Sequence, residues 1–170
     1  MREGPGRRGR PGSAGRRLPR GGPAVVAFLQ NQWLSDPERA AEMIERTPAV
    51  RPRLIKYALF QSFTGRRLVE AFGEGCREWV WDNASPRIAG RPSGCFPADP
   101  EHIRAVLERH DPDVVLAFGR VASEALRGLC DCELVAGPHP AARAADVPDR
   151  LRGMARRLER LVSLYNGVSE

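Results

Sequence analysis

The sequence predicts an α/β protein, a three-layer α/β/α domain around a four-stranded, mostly parallel sheet. Three observations predict it. Short apolar runs (VVAFL, WVW, VVLAF and LVA) recur along the chain between turn residues, the pattern of strands buried on both faces. The stretches between them carry apolar residues at helical spacing. Residues 112–143 (PDVVLAFGRVASEALRGLCDCELVAGPHPAAR) then join a strand, a glycine turn, a helix and another strand, which is a right-handed crossover unit.

Taken in order, the first strand covers residues 24–29 and runs into Gln30-Asn31-Gln32-Trp33. Ser35-Asp36-Pro37-Glu38 has the spacing of a capping box with proline in the first turn, so a helix is expected to about Thr47. Pro48 and Pro52 break it, and a second helix follows through Leu54, Tyr57, Ala58 and Phe60. A third starts near Thr64-Gly65, with Leu68, Ala71 and Phe72 on one face and Gly73 as its stop. Trp79-Val80-Trp81 is the second strand, delivering Asp82, Asn83 and Ser85 at its end, and residues 86–97 read as a Pro/Gly/Arg loop. Asp99-Pro100 caps a helix that turns Ile103, Val106 and Leu107 inward. The third strand is residues 114–118 and the fourth residues 134–136. Leu151, Met154, Leu158 and Leu161 trace the apolar face of a C-terminal helix.

The chain of 170 residues is long enough for one core. Its charge is unevenly placed. Residues 1–22 hold seven of the 27 basic and one of the 21 acidic residues, which leaves 20 of each in residues 23–170. The first segment reads as a disordered basic arm and the second as the folded domain. Any attraction to polyanions must therefore come from the arm or from local clusters. No secretory leader or membrane-spanning run is evident. Cys76, Cys95, Cys130 and Cys132 have no zinc-ligand spacing, and Cys130 and Cys132 sit too close to read as an ordinary disulfide. A reducing, cytoplasmic setting, no metal, no membrane partner and a monomer are the expectations.

Ligands of open α/β sheets bind outside the carboxyl ends of the strands. Three of those ends bring polar residues to one rim: Gln30 and Asn31 after the first, Asn83 after the second, His139 after the last. His139 stands between Pro138 and Pro140, which stiffen its loop. With these landmarks the folded part resembles the uracil-DNA glycosylase superfamily along essentially its whole length. Leu29-Gln30-Asn31-Gln32-Trp33 is similar to the family's Gly-Gln-Asp-Pro-Tyr motif, and Trp81-Asp82-Asn83 to its strand ending in a base-reading Asn. Thr64-Gly65-Arg66-Arg67-Leu68 resembles the glycine-containing helix before that strand in the four-iron branches. PDVVLAFGRVASEAL resembles the third strand and helix, and His139-Pro140-Ala141 the closing His-Pro-Ser.

The resemblance implies a base flipped out of DNA and cut from its sugar without a cofactor. His139 would hold the negative charge that develops on the leaving base. Asn83 would accept from uracil N3–H and donate to O4. Asn31 stands where the family has Asp, and an amide orients water but takes no proton. Gln30 and Trp33 would contact the base, with Trp33 where the family excludes thymine's methyl group. Phe60, or else Phe63, would stack on the base. Arg66, Arg67 and Arg143, with Arg87 and Arg91, would follow the phosphate backbone, Arg143 also being the candidate wedge. Gly119 would approach a phosphate. The family's serine is Ala141 here, and no cysteine precedes the first motif, so no iron–sulfur cluster is expected. The leading expectation is a monofunctional glycosylase for uracil or a related deaminated or modified base. The alternative is a catalytically weak or inactive module of the same fold that recognises a modified base or abasic site. A generic nucleotide-binding protein using Gly119 ranks last, because GRVAS is no phosphate-binding loop.

Overall fold

A computed structural model describes residues 22–91 and 93–167. The basic arm expected at the N-terminus lies outside the described residues, apart from Gly22. Four strands, β1 (Val25–Leu29), β3 (Val80–Asn83), β5 (Val114–Phe118) and β6 (Glu133–Gly137), form one sheet in the order β3-β1-β5-β6. Every pairing is parallel, with Ala27 opposite Trp81 and Leu116, and Leu116 opposite Val135. The sheet is thus parallel throughout rather than mostly so.

Alternation along the strands divides the core in two. Ala27, Leu29, Val114, Leu116 and Phe118 face one layer of helices. That layer holds α2 (Arg51–Phe60), α3 (Phe63–Phe72) and α6 (Val147–Gly167), through Ile55, Leu59, Leu68, Leu151 and Met154. Val26, Phe28, Val115 and Ala117 face α4 (Pro100–His110) and α5 (Arg120–Arg127), through Ile103, Val106, Ala122 and Leu126. Two covered faces explain why the strands read as unbroken apolar runs.

Several boundaries differ from the sequence reading, each for a local reason. α1 (Pro37–Arg46) is capped by Asp36, whose carboxylate accepts from Arg39 N–H, so Ser35 is not the cap. Pro52 does not interrupt a helix. It lies in the first turn of α2, where a missing N–H costs nothing. α3 begins at Phe63 with Ser62 as its cap, accepting from Gly65 N–H. β3 continues to Asn83 because its pairing with β1 carries on through Phe28–Asp82 and Leu29–Asn83. Residues 86–97 are not all loop: β4 (Ile88–Ala89) pairs with β2 (Gln32–Trp33) in a second, two-stranded sheet. Cys130 and Cys132 are joined by a disulfide, against the sequence expectation, since the turn between them brings their Cα atoms to 5.4 Å. Cys76 and Cys95 are free. Among the described residues no helix is long and apolar enough to cross a membrane.

Candidate functional site

A cleft of about 400 Å³ opens at the carboxyl end of the sheet. Leu29, Asn31 and Gln32 line it from the exit of β1, Leu59, Ser62 and Thr64 from the α2–α3 corner, and His139 from the loop after β6. A larger hollow of about 650 Å³ lies at the opposite, amino-terminal ends of β1 and β3, away from all of these groups.

The loop that carries His139 is held from three sides. Gly119 N–H donates to Gly137 O at 2.9 Å, which ties the end of β5 to the end of β6. Ala142 N–H donates back to His139 O at 2.9 Å and closes the turn. From α3, Arg67 Nη1 donates to Pro140 O at 2.8 Å and to Ala142 O at 2.9 Å. Gly119 lets the loop come close. Its φ of +90° suits glycine, and a Cβ there would stand 3.2 Å from His139 Cβ.

These contacts set the imidazole's chemistry. Ala141 N–H donates to His139 Nδ1 at 3.1 Å. Nδ1 therefore carries a lone pair, and the proton of the neutral ring is on Nε2. Burial pushes the His139 pKa below its ordinary 6.5, so the ring is neutral at physiological pH. The result is a single N–H donor on a braced loop, at a cleft beside an amide.

Asn31 shares that cleft, but most of its hydrogen-bonding capacity is taken. Its Nδ2 donates to Gln32 O at 3.2 Å and to Gly94 O at 3.1 Å, which uses both hydrogens. Its Oδ1 accepts from Phe96 N–H at 3.2 Å and keeps one further lone pair. Gln30 also turns to this loop, donating from Nε2 to Phe96 O at 3.3 Å and to Cys95 Sγ. The Gln30-Asn31 pair thus organises residues 94–96 as well as the cleft.

Asn83 lies behind the cleft wall rather than in it. It pairs in register with Leu29, which lines the cleft, and is 0 % exposed. Neither its Oδ1 nor its Nδ2 has a hydrogen-bond partner, an uncommon state for a buried amide. Its backbone is held by Asp82, whose Oδ1 accepts from Asn83 N–H at 2.7 Å, from Arg51 Nη2 at 3.3 Å and, at 3.1 Å, faces His102 Nε2. Burial alone would raise the Asp82 pKa. The His102 hydrogen bond and the Arg51 charge outweigh it and hold the carboxyl below its ordinary value. Arg51 also donates to Pro86 O at 2.9 Å and so fixes the chain leaving β3.

The remaining sequence candidates fall elsewhere. Phe60 packs against Trp81 edge to face, with the Arg77 guanidinium 4.7 Å over its ring, so it belongs to the core cluster and not to the cleft. Arg67 is committed to the carbonyls of the His139 loop, which makes it a brace rather than a phosphate contact. Gly119 packs under His139 in place of approaching an anion. Arg66 and Arg143 are exposed. Trp33 belongs to β2, and its side chain is not among those described. Sequence reasoning missed Gln32, Ser62 and Thr64 as lining residues and Arg51 and His102 as partners of Asp82; only the Ser62 cap position carried a local signal. Among the described residues no group of His, Cys, Asp and Glu is arranged to hold a metal ion. Burial lifts the Cys76 thiol to about 11, which removes it as a nucleophile.

No family model matches the sequence, and no curated protein matches it.

Proposed function

We propose that the protein is a monofunctional DNA glycosylase that extrudes uracil, or a related deaminated or modified base, and hydrolyses its bond to the sugar. One observation carries this reading: a neutral, braced imidazole with its proton on Nε2, sharing a strand-end cleft with Asn31. In such a reaction the bond between C1′ and the base nitrogen breaks, and its electron pair leaves with the base. Negative charge develops on the pyrimidine O2, where a preorganised N–H donor is worth about 10²–10³ in rate. Water adds its oxygen to C1′ and gives up a proton, which leaves the base neutral after protonation. The spare lone pair of Asn31 Oδ1 orients that water by accepting one of its hydrogens.

The test is alkaline strand scission of uracil-containing oligonucleotides after single-turnover incubation. His139→Ala is expected to slow base release by about 10²-fold or more. Undiminished release in His139→Ala overturns the site assignment.

A second reading has its own observation. Both Asn31 Nδ2 hydrogens are tied, to Gln32 O and Gly94 O, and no carboxylate stands among the described residues that line the cleft. It would then recognise a modified base or an abasic site without cutting. Gel-shift binding with no base released over hours decides for this module.

A further inference from the structure

Phe63, at the start of α3, is 51 % exposed, whereas its chain neighbours Ser62 and Thr64 both line the cleft. The ring is framed by cations. The Arg67 guanidinium lies 4.4 Å from its centroid and that of Arg66 5.8 Å. Arg67 is anchored to the carbonyls of Pro140 and Ala142, so the ring is held in fixed relation to the His139 loop. Arg66 is exposed and forms no ion pair among the described residues. A half-exposed aromatic ring beside an exposed guanidinium without an ion pair matches a nucleotide on both counts, ring to base and cation to phosphate. Phe63 stands one peptide unit, about 3.8 Å between Cα atoms, from two cleft residues. A base on its ring therefore belongs to a nucleotide next to the one in the cleft.

We infer that Phe63 and Arg66 form a stacking platform for an unpaired nucleobase of DNA adjacent to the extruded nucleotide. The protein accordingly favours targets in single-stranded or locally unpaired DNA. This rests on the reading of the cleft as a base pocket. In a fully paired duplex the neighbouring base is stacked on its own partners and leaves the ring empty. In a single strand the base is free to settle on Phe63 while Arg66 meets its phosphate.

The experiment measures anisotropy of a labelled oligothymidine carrying one uracil, alone and paired with its complement, at fixed salt. A parallel strand carries 2-aminopurine beside the uracil. Phe63→Ala is expected to weaken single-strand binding roughly tenfold, to change duplex binding less than about twofold, and to abolish the 2-aminopurine quenching seen with the unaltered protein. Phe63→Trp is expected to keep both affinity and quenching. Equal losses on single strand and duplex, or unchanged single-strand affinity in Phe63→Ala, overturn the platform. Uracil release from the same strand is scored separately. Quenching that depends on Phe63 without any release supports the platform and refutes the glycosylase reading. Release without such quenching does the reverse.

Discussion

Replacing Asn83 by leucine tests whether its buried, unpartnered amide serves the folded chain. The side chain is 0 % exposed, sits beside Leu29 on the sheet, and leaves both Oδ1 and Nδ2 unpartnered. A buried polar group without a partner costs about 1–3 kcal/mol, and exchange for an apolar side chain of similar shape removes that cost. Repacking a near-isosteric side chain takes back less than about 1.5 kcal/mol. We therefore expect Asn83→Leu to stabilise the free protein by about 1–2 kcal/mol. In a domain of this size that is a rise in Tm of roughly 2–8 °C. The assay is urea and thermal unfolding of both proteins. The expected result is a more stable protein. A lower urea midpoint for Asn83→Leu would refute the reasoning, since the amide would then be serving the folded chain.

Two predictions concern protonation. On the glycosylase reading His139 donates as a neutral ring whose folded pKa lies below 6.5, so the single-turnover rate should hold level from neutral pH down to about 6.5 and fall only beneath it. A rate that climbs on acidification through that range contradicts a neutral donor. Asp82 has a folded pKa below the ordinary 3.8, so its stabilising contribution is complete above that value and is lost as pH falls through the folded value. The stability gap between the unaltered protein and Asp82→Asn, followed by urea unfolding, should be widest at neutral pH and shrink below 3.8. A gap that stays constant into acid refutes the Arg51–Asp82–His102 assignment.

What was legible in the sequence were the features that repeat a local rule. VVLAF followed by Gly119 names a doubly covered strand and its turn, and Asp99-Pro100 names the start of α4, because each signal lies within a few residues. The end of β3 was not legible. Asp82 and Asn83 interrupt an apolar run, and what allows a charge there is Arg51, 31 positions earlier, and His102, 20 positions later. No periodicity joins those three. β2 and β4 are two residues each, too short to alternate visibly. Phe60 and Phe63 are equivalent by composition. They are separated by the end of α2 and the Ser62 cap, which leave Phe60 against Trp81 and Phe63 in solvent. Arg67 reads from the sequence as one of several surface cations, and only the loop it reaches, 73 positions away, gives it another task.

The choice between enzyme and reader turns on how much chemistry survives without a base. A general base contributes about 10²–10⁴ in rate, and an amide with one free lone pair supplies none of that factor. The other contributions do not depend on it. The Nε2–H donor of His139 stays on a braced loop that lines the cleft. A departing pyrimidine whose charge is already stabilised opens the sugar to a water that needs orientation more than deprotonation. The glycosylase reading therefore predicts slow excision. A multiple-turnover assay limited to minutes would score the protein as a binding module, whereas excess enzyme over hours would show the base released. Asn31→Asp sharpens the point. A carboxylate brings the missing base but loses both donors to Gln32 O and Gly94 O, so base release should rise only if the 94–96 loop keeps its place. Faster release in that variant identifies the cleft as a catalytic one that lacks a single proton acceptor.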